Sequence, residues 1–423
     1  MNKVAEITFS SDAPGATLFM LGNEAIARGA FEAGVQVIAA YPGTPSSEIS
    51  ETLVNNAKDT GMYAEWSINE KVAFETAMAA AMAGVRALTI MKHVGVNVAH
   101  DPLMTASYMG IPGFVMISAD DPGQWSSQNE QDNRLLARQA YIPVMEPCSA
   151  QEAKDMMVDA YRLSEEFGQM FMLRSVTRIG HARSNVVLGG IEKQKKQAKF
   201  VKNFQKYVCL PANYRVNRRL VIQRMEKIKE VVDTLPYNHI TLKKGAKLGV
   251  IATGISYGYA IEAVKWLGLE DKISVLKIGT PYPLPEKLTK QMLESVKEVL
   301  VVEELEPFVE DAAKVVAQDN EIGVKIHGKD LLPLAGELSV RLVAEALSKL
   351  TGVKPPVDFA DIDRITKETA ALLPLRPPTM CAGCPHRASA YAINIAARRY
   401  QQATGKEPVK TGDIGCYALA ANA

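Results

Sequence analysis

The sequence predicts an α/β protein with parallel sheets covered by helices, and three observations predict it. Short apolar segments alternate with helix-length segments along most of the 423 residues, the pattern of βα units. Those short segments are uniformly apolar instead of alternating, as strands are when helices cover both faces of a sheet. Hydrophobic residues make up 47% of the chain and charged residues 22%, enough to core two or three domains at about 150 residues each.

The elements follow in order. Residues 1–15 read as a polar leader. A helix-like stretch after Leu18, GNEAIARGAFEAG, ends at Gly34, a natural carboxyl stop. Val35–Tyr41 is a strand. PGTPSSEI then punctuates the chain and starts a helix, with Thr44 as the cap and Pro45 at the first helical position, where its missing N–H costs nothing. MYAEWS holds a short strand, and Asn69 caps the Ala-rich helix NEKVAFETAMAAAMAG, which stops at Gly84. Ala87–Met91 is a strand, KHVGVNVAHDP a long loop with glycines, and Gly113–Ser118 another strand. DDPGQWSSQNEQD is long and polar, suited to a lid or an interface. Ser149 and Glu152 match a capping box for a helix reaching Gly168, and Met170–Val176 closes the set. Residues 1–185 therefore read as one α/β domain.

Composition then shifts. Lys193, Lys195, Lys196, Lys199, Lys202 and Lys206, followed by Arg215, Arg218 and Arg219, mark residues 186–244 as a basic, solvated linker with a surface helix, the other reading being a surface for an acidic partner or an anionic ligand. A second α/β unit covers 245–360, with strands at Lys247–Gly254, Ile273–Gly279 and Val299–Glu304, a loose ending at KIHGKDLLP and a last helix over Val340–Lys349. Residues 361–423 hold a Pro-rich stretch, the CAGCPHR segment running into a helix, and PVKTGDIGCYALA, read as a strand entering a Gly turn. One strand and one helix cannot bury a hydrophobic face, so this last piece is expected to be the start of a domain cut short.

Lys plus Arg number 48 and Asp plus Glu 47, a balance that gives no reason to expect nucleic acid or an anionic membrane as partner. Five Cys are far from a disulfide framework and fit a reducing, cytoplasmic compartment. There is no apolar run of 18 residues and no basic-then-apolar amino terminus, so neither a membrane span nor a secretory signal is expected.

Chemistry has a few candidate sites. Glu70 opens the 69–84 helix, where its ordinary role is to complement the helix dipole; its Ala and Val neighbours would also let it share a proton with a ligand nitrogen. Glu65 and Glu75 are nearby competitors. Thr44, Ser46 and Ser47 follow a strand, at the edge of an open parallel sheet where ligands bind, though capping alone accounts for them. The next loop brings Lys92, His93, Asn97, His100 and Asp101 to the same edge, with His93 and His100 too weakly spaced to argue for a metal. No GxGxxG or phosphate-loop Lys motif is present. Cys381 and Cys384 form CxxC, and Cys416 follows after 31 intervening residues. Three readings stay open: a cluster completed by another Cys, a zinc site with His386, or unmetallated thiols, while Cys148 and Cys209 are dispersed.

YPGTPSSE at 41–48, EWSINEKVAFE at 65–75, KHVGVNVAHDPLM at 92–104, CAGCPHR at 381–387 and GDIGCYALA at 412–420 make the chain resemble the large (alpha) subunits of the indolepyruvate branch of the 2-oxoacid:ferredoxin oxidoreductase family. The resemblance implies a thiamin diphosphate-binding fold: a pyrimidine-type domain at 1–185, a transketolase C-terminal-like α/β domain at 245–360, and an incomplete start of the diphosphate-binding domain from 361. It implies oxidative decarboxylation of an aryl 2-oxoacid to an acyl-CoA with ferredoxin as electron acceptor. The cofactors implied are thiamine diphosphate, Mg²⁺ and [4Fe–4S] clusters. The partners implied are coenzyme A, ferredoxin, a small beta subunit and a second copy of the chain. It assigns Glu70 to the aminopyrimidine ring and Thr44 to the substrate carboxylate. Ser46, Lys92, His93 and Asn97 go to the substrate cleft, and Gly412, Asp413 and Gly415 to the diphosphate turn. Cys381, Cys384 and Cys416 are placed like cluster ligands of related subunits. Most of the diphosphate and cluster segments expected of the family are missing from the 423 residues, so the chain by itself is expected to be inactive. A non-oxidative thiamine-dependent decarboxylase and an inactive assembly fragment are the two other readings.

Overall fold

The computed structural model describes residues 7–193, 196–412 and 415–422. In the first layer β1 (Thr17–Leu21) runs into α1 (Gly22–Glu32), β2 (Val37–Ala40) into α2 (Ser47–Thr60), and β3 (Tyr63–Trp66) into α3 (Glu70–Met82). Next, β4 (Ala87–Lys92) leads into α4 (His93–Val98) and α5 (His100–Met109), and β5 (Phe114–Asp120) is followed by α6 (Asn133–Ala140). Finally β6 (Val144–Met145) precedes α7 (Ala150–Phe167), and β7 (Phe171–Val176) precedes α8 (Thr177–His181) and β8 (Arg183–Val187). Six strands form one parallel sheet in the order β3-β2-β4-β5-β7-β6. Successive side chains of each strand enter different cores. Ile38, Leu88, Ile90, Val115 and Ile117 pack with α1, α2 and α7, whereas Ala39, Met91, Phe114 and Met116 pack with α3 and α5. Because both faces are covered, the strands have no polar face to show, which is why they read as uniform apolar runs.

Several expectations are corrected here. Residues 17–21 and 183–187 pair as an antiparallel ribbon, β1 with β8; the first was taken as leader and helix start because neither alternates. The helix after β2 begins at Ser47 with Ser46 at its cap, not Thr44, because Ser46 and Ser47 bond back to Gly43 and close a turn ahead of it. KHVGVNVAHDP is helical, not a loop: α4 and α5 follow β4 almost without a break, as tertiary packing overrides the low propensity of Gly and Val. Asn69 does cap α3, its side chain accepting from the Val72 N–H at 2.9 Å. Ser149 accepts from the Glu152 N–H at 3.2 Å, while Glu152 reaches back to the Cys148 N–H instead of that of Ser149.

The basic stretch is more than solvated linker. After α9 (Phe204–Tyr207), the long α10 (Pro211–Val232) buries Val221, Met225, Ile228 and Val232, the last three against the core shared by α1 and α7. Lys195, one of its six lysines, lies outside the described residues. The second layer contains β9 (His239–Thr241), β10 (Leu248–Thr253), α11 (Ile255–Trp266), β11 (Ile273–Ile278), α12 (Glu286–Ser295), β12 (Glu298–Val302), α13 (Phe308–Asp319), β13 (Lys325–His327) and α14 (Val340–Thr351). Its sheet order is β13-β12-β10-β11-β9, with β9 antiparallel. KIH is thus a strand, not a loose ending, and pairs in parallel with β12.

The two layers are joined by backbone and by buried charge. The Val144 N–H donates to Tyr282 O at 2.7 Å and the Glu146 N–H to Gly279 O at 2.8 Å. Arg134 is fully buried and binds Asp132 at 2.6 Å in the first layer and Glu303 at 2.7 Å in the second. Arg174 lies beside it, 2.6 Å from Asp120 and paired with Glu146, which accepts in turn from Thr253 Oγ1.

Residues 357–423 form a separate compact unit. It holds α15 (Phe359–Ala370), α16 (Pro385–Thr404) and a 3₁₀ turn at Cys416–Asn422. The strand expected in PVKTGDIGC is not formed by its described residues.

Candidate active site at the carboxyl edge of the first sheet

All six strands of the first sheet run in parallel, so the segments leaving β2, β4, β5 and β7 emerge at one edge. The turn after β2 is built by its own hydroxyls. Ser46 is buried and donates to Gly43 O at 2.7 Å, and Ser47 Oγ accepts from the Gly43 N–H at 2.9 Å. Asn23 of α1 donates to Pro45 O at 2.8 Å. Ser46 therefore shapes the turn instead of lining a cleft, and Thr44 is left exposed at its tip.

Glu70 occupies the first turn of α3 and is only 9% exposed. The helix that follows β4 lies against it so closely that a Cβ on Gly95 would stand 2.5 Å from Glu70 Oε1 and 2.7 Å from its Cγ. Only glycine leaves room for the carboxyl group there. Asn69 holds the start of α3 in register, so the cap and the glycine together fix where this carboxylate sits. Glu75 points to solvent on the same helix, and Glu65 is occupied by Tyr63 and Ser67, which donate to it at 2.5 and 3.0 Å.

Lys92, the last residue of β4, is half-buried and packs its aliphatic stem on Gly43, where a Cβ would approach within 2.9 Å. Its ammonium donates to Ser126 O at 3.0 Å, and Ser126 Oγ in turn donates to Thr44 O at 3.2 Å. Burial pushes Lys92 below its usual range against the opposing pull of Asp121 and Glu70. Burial pushes Asp121 up, but bonds from Ser127, the Ser126 N–H and Thr177, with the Lys92 charge, hold it below the usual carboxylate range. Glu70, Lys92, Asp121 and the Thr44 turn are thereby brought to one place.

The remaining predicted residues divide. His93 is fully buried, with Nε2 3.1 Å from Asn129 O and Nδ1 without a hydrogen-bond partner among the described residues. Asn97 is exposed and exchanges bonds with Gln131, whose side chain also donates to His93 O. Both clasp the polar 121–132 segment to α4. His100 starts α5, and Asp101 pairs with Lys71 at 2.9 Å. Gly95, Gly43, Asp121, Ser126 and Thr177 escaped the sequence reading. The glycine inside HVGVNV was the one available signal, and taking that stretch for a loop concealed it.

These residues fit the ring half of a thiamine-type cofactor: a carboxylate held nearly out of water, in a helix turn, with a backbone shaped around it. They do not fit its diphosphate half. Gly412 and Gly415 are exposed in the second unit, and Asp413 lies outside the described residues. Cys381 and Cys416 are exposed, and Cys384 Sγ is 3.5 Å from His386 Nδ1. Among the described residues no three His, Cys, Asp or Glu side chains stand together as a metal site, so the three cysteines do not form one here. Among those residues, too, no helix is long and apolar enough to cross a membrane.

The family profile described as pyruvate flavodoxin/ferredoxin oxidoreductase, thiamine diphosphate-binding, matches residues 28–241, and the chain belongs to that family. A second profile, the indolepyruvate oxidoreductase domain, matches residues 238–353. Within the family the chain is similar to indolepyruvate oxidoreductase subunit IorA. It is 48% identical to that of Pyrococcus horikoshii over 99% of its own length, and 44% identical to that of Archaeoglobus fulgidus over 97%. The chain spans 64% and 65% of the length of those two relatives. A solved 2-oxoglutarate:ferredoxin oxidoreductase from Magnetococcus marinus superposes on 79% of this chain and 65% of its own, with a TM-score of 0.64 at 15% identity. A split-gene transketolase covers 79% of this chain and 99% of its own, with a TM-score of 0.53 at 16% identity. The last two show the shared fold alone.

Proposed function

We propose that this chain is the pyrimidine-side portion of an alpha-type subunit that oxidises an aryl 2-oxoacid such as indolepyruvate to an acyl-CoA, with ferredoxin as electron acceptor. The observation that carries the reading is Glu70, seated in the first turn of α3 against the bare backbone of Gly95. When bound, thiamine diphosphate would supply an electron sink for the carbon that loses CO₂. The chain's own residues bind, orient and move a proton. Glu70 holds a proton shared with the aminopyrimidine nitrogen, in a site where few waters compete. Lys92, half-buried and not yet matched by a direct ion pair among the described residues, places positive charge beside the cleft where a substrate carboxylate would lie. Thr44 presents its hydroxyl at the exposed tip of the turn. Asn97 and Gln131 hold the polar segment that closes over this edge.

In this reading Mg²⁺, the cofactor diphosphate and the [4Fe–4S] clusters are held by residues other than those described. A small beta subunit, coenzyme A, ferredoxin and a second copy of the chain complete the enzyme, which works in the cytoplasm. The test is anaerobic viologen reduction by the longer subunit with its partner, supplied with thiamine diphosphate, coenzyme A and indolepyruvate. Glu70→Gln is expected to lower turnover by ~10²-fold or more, because the shared proton is lost. Turnover within a factor of two or so of wild type would end the assignment.

A further inference from the structure

At the opposite edge of the first sheet, where α5 and α7 end and β5 and β7 begin, a cavity of about 650 Å³ opens beneath α10. Part of its wall is apolar, from Phe167, Val216 and Leu220. The side-chain amides of Asn203, Gln205, Asn213 and Asn217 also line it, Asn213 already donating to Phe204 O and Val208 O and Asn217 to Lys206 O. Two cations stand in the same wall, Lys206 and Arg224, both half-buried.

Neither cation has a carboxylate partner among the described residues. Arg224 donates through Nε to Gln169 Oε1 at 2.9 Å, and through Nη2 to Ser107 O and Tyr108 O at 2.9 and 3.0 Å, all neutral acceptors. Its Nη1 rests against Gly110, where a Cβ would come within 2.7 Å. The Lys206 ammonium sits 5.3 Å from the centre of the Tyr207 ring. Burial pushes Arg224 down to about 10, and burial together with the Arg224 charge pushes Lys206 below its usual range. The two acids of the same wall are already engaged: Glu165 by Arg86 and Lys196, Glu166 by Arg162. Two like charges kept partly out of water without a counter-charge raise the free energy of the empty cavity, and an anion between them lowers it.

We propose that this cavity binds a small organic phosphate, its phosphoryl group between Lys206 and Arg224 and its body against Phe167, Val216 and Leu220. A phosphoryl group carries the negative charge and the acceptor oxygens that two such cations satisfy. The cavity is of the size that encloses a whole small ligand, not a bare ion. It lies across the sheet from Glu70, so its occupancy and the reading of the cleft stand or fall separately.

The test is calorimetric titration of the 423-residue chain with ADP and with glucose 6-phosphate. Inorganic phosphate, adenosine and glucose serve as part-ligands. At least one of the two organic phosphates is expected to bind with Kd below ~1 mM, and ~10-fold or more tighter than inorganic phosphate or its own dephosphorylated body. Lys206→Gln is expected to weaken that binding ~10-fold and to flatten its dependence on salt, because one cation no longer acts on the anion; Lys206→Arg is expected to keep it. The Lys206 ammonium makes no hydrogen bond among the described residues, and an unchanged thermal melt of Lys206→Gln shows that the fold is intact. Binding of neither probe below that limit, equal binding of inorganic phosphate, or binding indifferent to Lys206→Gln overturns the proposal.

Discussion

Glu70 shows how one side chain is made chemically special by its neighbours. Residues EKVAF describe an ordinary helix start, and the sequence alone gave a carboxylate near a helix dipole. What sets it apart is Gly95, which no spacing rule connects with it. Gly95→Ala in the longer subunit would put a methyl group 2.5 Å from Glu70 Oε1, so the carboxyl group must turn away. We expect the rate of viologen reduction to fall by ~10-fold or more, as small misplacements of reacting groups do. A melting temperature within a few degrees of wild type would show the loss to be local. Unchanged turnover would mean that the carboxyl group tolerates displacement and does not work where it sits. Thr44 and Ser46 illustrate the converse. Both carry hydroxyls at a strand end, but Thr44 is left exposed while Ser46 is buried and donates to Gly43 O, so one faces solvent and the other holds the turn.

Among the elements, those with strong local signals were legible. Strands β2, β4, β5, β7, β10, β11 and β12 are mostly apolar because helices enclose them, and α3, α7 and α14 begin at side-chain caps. Elements without such signals were missed: β1 and β8 stabilise one another across more than 160 residues, and α4 and α5 are held by packing rather than propensity. The cap of α3 can be weighed directly. Asn69→Ala removes the acceptor for the Val72 N–H and is expected to cost about 1 kcal/mol, measured by urea unfolding of the 423-residue chain. Because the cap also positions the first turn, the same variant of the longer subunit is expected to lose activity at 25 °C, where it is still folded. A loss of stability with full activity would separate the cap from the site.

For the molecule as a whole, the buried charges between the two sheets matter most. Arg134 neutralises Asp132 of the first layer and Glu303 of the second, at positions where none of the three meets solvent. Arg134→Ala would leave Glu303 without its ion-pair partner and Asp132 with only the more distant Arg174, 3.8 Å away, at an expected cost of about 3–5 kcal/mol, read as a drop in the urea midpoint. A drop of only a few tenths of a kcal/mol would show water entering to replace the guanidinium. Glu304 sits beside this network. Burial pushes it up to about 7, opposed by the Leu338 N–H and Arg174 and reinforced by Glu337 and Glu146. A carboxyl group whose pKa rises on folding contributes its stability when protonated. That contribution is complete below about 4.5 and is lost as pH rises through about 7. Glu304→Gln stays neutral throughout, so it is expected to match the wild type near pH 4.5 and to exceed it at pH 8 by on the order of 3 kcal/mol. Parallel stability curves for the two proteins across that range would refute the assignment.

By itself the sequence determined the fold class, the positions of the enclosed strands, the family and the few side chains at the sheet edge from which chemistry is possible. Burial on both faces and helix capping are local demands, written into neighbouring residues. Only the tertiary structure decided that Gly95 clears the place of Glu70, that the basic α10 is anchored in the first core, and that Arg134 and Arg174 tie the two layers. Each of these depends on residues far apart in the chain meeting at contact distance. No pattern of spacing records such a meeting, because close packing, not periodicity, selects the partner.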